Sequence, residues 1–406
     1  MKKYFSGEIS KTEEKIIQFL QDYKHIFLFA FITLFALLLR KDQIYFVSGD
    51  YFELKAWSEH LYLNGGIAGI SSLQSDYNVA YLYILALLNY LPFPLIIKIK
   101  AVSVIFDFVT AIFVMLIIRK IFNLDKKSLL PYLGYGVALF APTVLLNSAV
   151  WGQSDIIYTS FIVISIYLML QGKVSWAFVS YGVALSFKLQ AIFVLPVLFL
   201  LYFKEKKFSA LNFLLIPFVN FLIYIPAWIA GKPLSGIFGA YVHQVGEYPS
   251  LVLNFSNFYS LLPDNYEYFS QIGLVITIGL LITFYIILFS DKINLSTPDY
   301  IVVTMITVMI CTYFLPSMHE RYMFSADLLA VIFLFLYPKR FYVPMLIWLI
   351  NANAYLPILY DFGPVVDYKV MALVYLGLLC LMVYQFFRDK SKSPNHLSDF
   401  RLGLSS

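Results

Sequence analysis

The stretch IIKIKAVSVIFDFVTAIFVMLIIR, residues 96–119, decides the fold class. From Ala101 to Ile118 it is apolar apart from a few small hydroxyl residues and one charge, Asp107. A helix rising about 1.5 Å per residue needs about 20 such residues to cross the hydrocarbon of a bilayer. Comparable runs recur near 25–46, 128–148, 154–171, 174–187, 189–203, 208–230, 269–290, 298–315, 322–337, 341–356 and 366–387, which predicts twelve crossings in an all-α, polytopic membrane protein. Several are shorter than a comfortable span. The pair 174–187 and 189–203 is the clearest case, and it predicts two helices meeting around Lys188 at a cavity, because irregular backbone at membrane depth requires protein or water beside it.

Composition agrees. Of the 406 residues, 61% are apolar and only 13% charged, about half the charge of a soluble domain. The mean hydropathy is +0.78. A soluble fold cannot hide that much apolar surface. The aromatic share of 19% suits interfacial belts, and it equally suits sugar stacking. Cys311 and Cys380 both fall in apolar runs, so there is no disulfide framework and no cysteine-based metal site.

Most of the 29 Lys and Arg fall on one side of a twelve-span arrangement, including Lys2, Lys3, Arg119, Lys120, Lys206, Lys207, Arg340, Arg388 and Arg401. The positive-inside bias then places both termini in the cytoplasm. Residues 1–24 read as a cytoplasmic amphipathic segment, 25–388 as the membrane domain and 389–406 as a cytoplasmic tail. Two longer segments, 41–96 and 231–268, fall outside, and long loops tend to carry function. Within the first, the apolar run Tyr77–Pro94 is too short to span comfortably and is expected to lie in the interface.

Four polar clusters map to that outer side, where ionisable groups near membrane depth are costly and often functional. SGDYFELKAWSEH holds Asp50, Glu53, Trp57, Glu59 and His60; Asp50 follows the first span closely and is a candidate general base, whereas Glu53, Glu59 and His60 read as structural. NSAVWGQSD holds Trp151, Gln153 and Asp155, as an interfacial anchor and helix caps or as a site. SFKLQ holds Lys188 and Gln190; Lys188 has either a phosphate or a structural acid as its partner. PSMHERY interrupts strongly apolar sequence with His319, Glu320, Arg321 and Tyr322, a block hard to explain by packing, in which Arg321 offers a planar fork to phosphate oxygens and Glu320 orients it. Asp107 is expected to pair with Lys188 or Arg321, or to contact substrate.

There is no HExxH, P-loop, GxSxG or glycine-rich dinucleotide fingerprint, and nothing suggests nucleic-acid binding. The five His are scattered, so no metal site is expected.

At these blocks the chain resembles the GT-C superfamily of integral-membrane glycosyltransferases, both bacterial polysaccharide-associated members and eukaryotic enzymes that use dolichyl-phosphate glucose. GDYFELKAW resembles the acidic motif of the first external loop, and SDYNVAYLYILALL the Tyr-Asn/Pro-Pro segment after it. Asp107 resembles an acid of the next span; WGQSD, SFKLQ and MHERY resemble three further blocks in the same order, and Val245–Pro263 the second external loop of bacterial members. HERY and WGQSD depart from the eukaryotic pattern, so the donor sugar does not carry over. The resemblance implies a polyprenyl-phosphate hexose donor, a glycan or glycolipid acceptor, inversion at the anomeric carbon, and no metal or other cofactor. Asp50 would be the base, and Lys188, His319 and Arg321 would hold the donor phosphate. Glu53, Trp57, Asp107, Trp151, Gln153, Asp155, Gln190, Glu320 and Tyr322 would bind or orient substrate. A polyprenyl-linked polysaccharide polymerase or ligase and a lipid or solute transporter are the alternatives. A transporter would spread its charges through both leaflets, and a polymerase often carries Arg in the large loop, where 231–268 has only Lys232.

Overall fold

The structure is a computed structural model that describes residues 9–236, 239 and 249–392. Residues 1–8 of the expected N-terminal segment, 393–406 of the tail and most of 237–248 in the second long loop lie outside the described residues, and with them Lys2, Lys3, Arg401 and part of the Val245–Pro263 block.

The chain is almost wholly helical. α1 (Lys11–Gln43) begins with a capping box in which Ser10 and Glu13 satisfy each other's backbone N–H. It runs unbroken through Lys24, so the predicted boundary there is not a structural one. α2 (Asp50–Leu63) and α3 (Val79–Leu88) fill the first long loop. Then follow α4 (Leu95–Ile121), α5 (Leu130–Phe140), α6 (Pro142–Leu145), α7 (Asp155–Leu170), α8 (Val174–Phe187), α9 (Leu195–Glu205) and α10 (Leu215–Ile229). α11 (Tyr266–Phe289), α12 (Thr297–Phe314), α13 (Phe324–Leu336), α14 (Tyr342–Tyr360) and α15 (Tyr368–Lys392) complete the bundle.

Among the described residues, seven helical segments are long and apolar enough to cross a membrane, or eight if the bent pair through Pro142 counts as one span. Their outer stripes are apolar and bare: Phe31, Leu34 and Leu38 on α1, and Val275, Ile278, Ile282 and Ile286 on α11, are all exposed. Such contiguous patches on a monomer mark a lipid-facing surface. The chain is a polytopic α-helical membrane protein. Each of the twelve predicted runs is helical, but α7, α8, α9 and α13 are shorter than a full span, with α9 only 11 residues long. Around them lie α3 and α10, α12 and α14, so one face of each is packed in protein, while Trp176 of α8 and Phe199 and Phe203 of α9 stay exposed.

α3 corrects one expectation. Tyr81, Leu82, Leu85 and Ala86 are buried against α2, α8 and α10, so the run is folded into the bundle. Only its end, with Leu87, Tyr90, Leu91 and Phe93, stays exposed.

The two ends of the bundle differ in charge chemistry. At one end, Lys127 pairs with Asp22, Lys204 donates to the carbonyls of Ser290 and Ile293, Arg340 pairs with Asp389, and Lys390 with Asp299. The other end gathers the C-terminus of α1, the N-termini of α4 and α7, the α8–α9 break and the loop between α12 and α13.

Candidate functional site

Three local irregularities build the site. The first is the break between α5 and α6, a bend of 51°. Ala141 precedes Pro142 and is therefore driven to extended backbone, with φ −55° and ψ 125°. The helix then loosens into a π turn over Leu146–Trp151, a feature frequent at functional sites. Gly152 ends it with φ +82°, a left-handed conformation that an L side chain resists. The reversal points Trp151 and Gln153 at the same target.

That target is Asp50, the first residue of α2. Its Oδ2 accepts from Trp151 Nε1 at 3.2 Å and from Gln153 Nε2. Gln153 is oriented in turn, because Tyr77 Oη donates to its Oε1 at 2.9 Å and its backbone carbonyl accepts from Ser103 at 2.7 Å. Trp151 is 2% exposed and packs edge-on against Tyr355, so it is a buried donor and no interfacial anchor. The Asp50 side chain is 39% exposed, and its Oδ1 takes part in none of these contacts.

The second irregularity is the α8–α9 break. Lys188 is extended, with φ −146° and ψ 139°, between α8 and a 3-10 turn, as the sequence predicts. Its Nζ donates to Asp155 Oδ1 at 2.7 Å and lies over the Tyr77 ring. Asp155 therefore does not cap α7. Its fully buried carboxylate takes Lys188, Asn147 Nδ2 at 3.1 Å and, at 3.5 Å, Arg321 Nε. Of the two partners open to Lys188, the structural acid is present.

The third is the loop from Leu315 to Met323, between α12 and α13. Met318–His319 pairs in parallel with Val252–Leu253, and Ser317 donates to the Leu251 and Ser250 carbonyls. This pins the loop over the site. Arg321 Nη1 meets Glu320 at 2.5 Å and Asp50 Oδ2 at 3.7 Å, and its guanidinium lies over Trp151. His319 Nδ1 lies 3.6 Å from Glu320, and its ring packs on Tyr322. Burial opposes the charge on Glu320 more than any single neighbour favours it, but Arg321, His319 and a backbone N–H together hold the carboxyl below its ordinary range. Burial also opposes the charge on Arg321, and Glu320, with Tyr77, Asp155 and Asp50, overcomes it.

Two cavities flank this constellation. One, of about 490 Å³, is lined by Lys188, Gln190, His319, Arg321 and Tyr322 together with apolar Phe187, Ile192, Phe193, Leu274 and Leu315. The Oε1 of Gln190, a residue 7% exposed, has no hydrogen-bond partner there. The other, of about 570 Å³, is lined by Glu53, Trp57, Asn78 and Lys232. Asp76 and Tyr77 line both.

Of the sequence candidates, Asp50, Trp151, Gln153, Asp155, Lys188, Glu320 and Arg321 meet directly. His319, Tyr322 and Gln190 stand in the first cavity, and Glu53 and Trp57 in the second. Asp107 stands apart. It pairs neither with Lys188 nor with Arg321; its Oδ2 accepts from Arg40 Nε at 2.8 Å and from Ser148 Oγ at 2.5 Å. Arg40 is itself buried, 2% exposed. Glu59 and His60 make surface contacts with Lys55 and Ser72, in keeping with structural roles. Asp76, Asn78, Asn147 and Arg40 were missed. The triplet Asp76–Tyr77–Asn78, polar and directly before an apolar helix, was the available signal for two of them.

No group of three or more His, Cys, Asp or Glu side chains among the described residues is placed to hold a metal ion. No family model matches the chain, and no curated protein matches it.

Proposed function

We propose that this protein is an inverting glycosyltransferase that moves a hexose from a polyprenyl-phosphate sugar to a glycan or lipid-linked acceptor, with twelve membrane-crossing segments, both termini cytoplasmic and the site facing outward. The observation that carries it is the meeting of four separate sequence blocks around two carboxylates, partly exposed Asp50 and buried Asp155, which Arg321 contacts together, beside an apolar-walled cavity that bears Lys188, His319 and Arg321. An isoprenoid chain suits the apolar wall, and a phosphate suits the cations. The Lys and Arg at the opposite end of the bundle support the outward orientation.

In this mechanism Asp50 keeps Oδ2 on Trp151 and Gln153 and takes the acceptor hydroxyl proton on Oδ1. The acceptor oxygen forms a bond to the anomeric carbon. The bond from that carbon to the phosphate oxygen breaks on the opposite face, and its electron pair leaves with the polyprenyl phosphate, so configuration inverts. Charge grows on the phosphate in the transition state, where fixed cations stabilise it in a site with little water. Asp50, Asp155 and Glu320 already balance Lys188 and Arg321, so the phosphate must take over an existing contact. The longest is that of Arg321 to Asp50, 3.7 Å, and it is the arm to be released. Gln190 Oε1 is an acceptor for a hydroxyl of the donor sugar.

The test offers purified protein a polyprenyl-phosphate hexose or the matching nucleotide sugar. Transfer from the lipid-linked donor is expected; transfer from the nucleotide sugar alone overturns the proposal. The residues that meet around Asp50 and Asp155 collect at one end of the bundle, which disfavours a transport pathway.

A further inference from the structure

We infer that the second cavity is a saccharide subsite that takes a neutral, hydroxyl-rich part of the acceptor, with Trp57 as the stacking platform and Asn78 and Asp76 as its hydrogen-bonding groups. It rests on the glycosyltransferase activity proposed above and specifies which chemistry of acceptor that site receives.

The two cavities differ in what they can hold. The first has a long apolar wall and three cationic or protonatable groups. The second, about 570 Å³, lies within the range of about 300–1,000 Å³ typical of small-ligand sites. It mixes donors and acceptors at short range: the carboxylates of Glu53 and Asp76, the amide of Asn78 and the ammonium of Lys232. Hydroxyl groups donate and accept, so a sugar answers such a lining, and a phosphate does not, since it would face two carboxylates across the cavity. Lys232 offers it little compensation, because it points at the Ile70 and Leu73 carbonyls, 3.4 Å away, and burial pushes that ammonium towards its neutral form.

Two observations point to an absent ligand here. Asn78 is 6% exposed, yet its Nδ2 has no hydrogen-bond partner. A buried amide left unpaired costs about 1–3 kcal/mol, which a ligand oxygen would recover. Trp57 is only partly buried, held edge-on by Tyr77 at 5.4 Å between ring centres, and it lines the cavity. The electron-rich face of an indole attracts the polarised C–H groups on one face of a sugar ring.

The cavity also lies where an acceptor must be. Asp50, Glu53 and Trp57 follow one another at positions i, i+3 and i+7 of α2 and so share a helix face. Arg321 of the first cavity approaches Asp50 from the other side. Tyr77, the common wall, is tied to Asp50 through Gln153. A hydroxyl entering from the second cavity therefore meets Asp50 before it meets the donor.

The experiment measures binding of a neutral glucose disaccharide, cellobiose or maltose, to the full chain in detergent by saturation-transfer NMR, and binding of undecaprenyl phosphate to the same samples. Wild type is expected to saturate the disaccharide C–H protons. Trp57→Ala and Asn78→Ala should each weaken disaccharide binding at least tenfold and leave undecaprenyl phosphate affinity within about twofold. Trp57→Phe keeps a ring and should recover most of the binding, which separates stacking from a loss of folding. Asp76→Asn should weaken the disaccharide by a smaller factor, since its amide still bonds hydroxyls. Disaccharide binding that is lost in Arg321→Ala and kept in Trp57→Ala and Asn78→Ala moves the sugar to the first cavity and overturns the proposal; so does absence of saturation for both disaccharides in wild type. Loss of binding in the Trp57 and Asn78 variants supports the subsite whether or not wild type transfers a hexose from the lipid donor, so failure of the activity and failure of the subsite are told apart.

Discussion

Replacing Arg40 or Asp107 tests whether the acid in the second predicted span belongs to the site or to the scaffold. Both side chains are buried, 2% and 0% exposed, and Arg40 Nε donates to Asp107 Oδ2 at 2.8 Å. Removing one partner of a buried pair strands the other charge and costs about 3–5 kcal/mol. The two single variants should not be equal. Asp107→Leu leaves the guanidinium a carbonyl acceptor at Leu139, 2.9 Å away, and a longer one at Ala36, 3.3 Å away. Arg40→Leu leaves the Asp107 carboxylate with the Ser148 hydroxyl. Arg40→Leu should therefore be the costlier change. The double variant removes both charges and returns to within about 1 kcal/mol of wild type, because a buried ion pair is often no better than apolar side chains of similar volume. At roughly 2–4 °C per kcal/mol, the single variants should lose on the order of 10 °C of apparent Tm in detergent at one fixed scan rate. Single variants within 1 kcal/mol of wild type, or a double variant as unstable as the two losses added, would refute the pairing. Hexose transfer supplies a second axis: a stable double variant that has lost transfer would return Asp107 to the site.

Asp50→Asn should lower the rate of transfer by about 10²–10⁴ and leave donor binding in place, and near-normal turnover would remove Asp50 as the base. Arg321→Ala should weaken use of the lipid donor, and Arg321→Lys should restore only part of it because Lys lacks the fork; equal activity of the two would argue against bidentate phosphate contact. Gly152→Ala places a Cβ 3.1 Å from Lys100 Cγ at φ +82°, so it should cost about 1 kcal/mol or more and reduce transfer by turning Trp151 and Gln153 away from Asp50, as melting and rate measurements on one preparation would reveal. In a variant lacking Cys311 and Cys380, a cysteine at exposed Tyr90 should react with an impermeant reagent from outside the cell, and labelling only after lysis would invert the topology.

Helix positions were legible because they rest on local quantities. The run 174–187 and the break at Lys188 could be read directly, since an apolar run and its interruption are properties of neighbouring residues. The number of full spans was less legible: α7, α8 and α13 are apolar but short, and whether a short helix faces lipid or protein depends on its neighbours in space. The first-loop helix α3 was misjudged for that reason. Its sequence is equally compatible with an interface and a core, and packing against α2, α8 and α10 decided for the core.

The sequence by itself determined that lipid is the solvent, that the elements are helices, and that one polar block, His319–Tyr322, is hard to explain by packing. Only the tertiary structure decided the partners: Asp107 with Arg40, 67 residues away, Asp155 with Lys188, and Asp50 with Gln153, 103 residues away. A buried charge demands a counter-charge or a donor, and that demand is written in the residue type. Which one answers depends on where helix bends, a π turn and one left-handed glycine carry the side chains, and no periodicity along the chain encodes a meeting across the bundle.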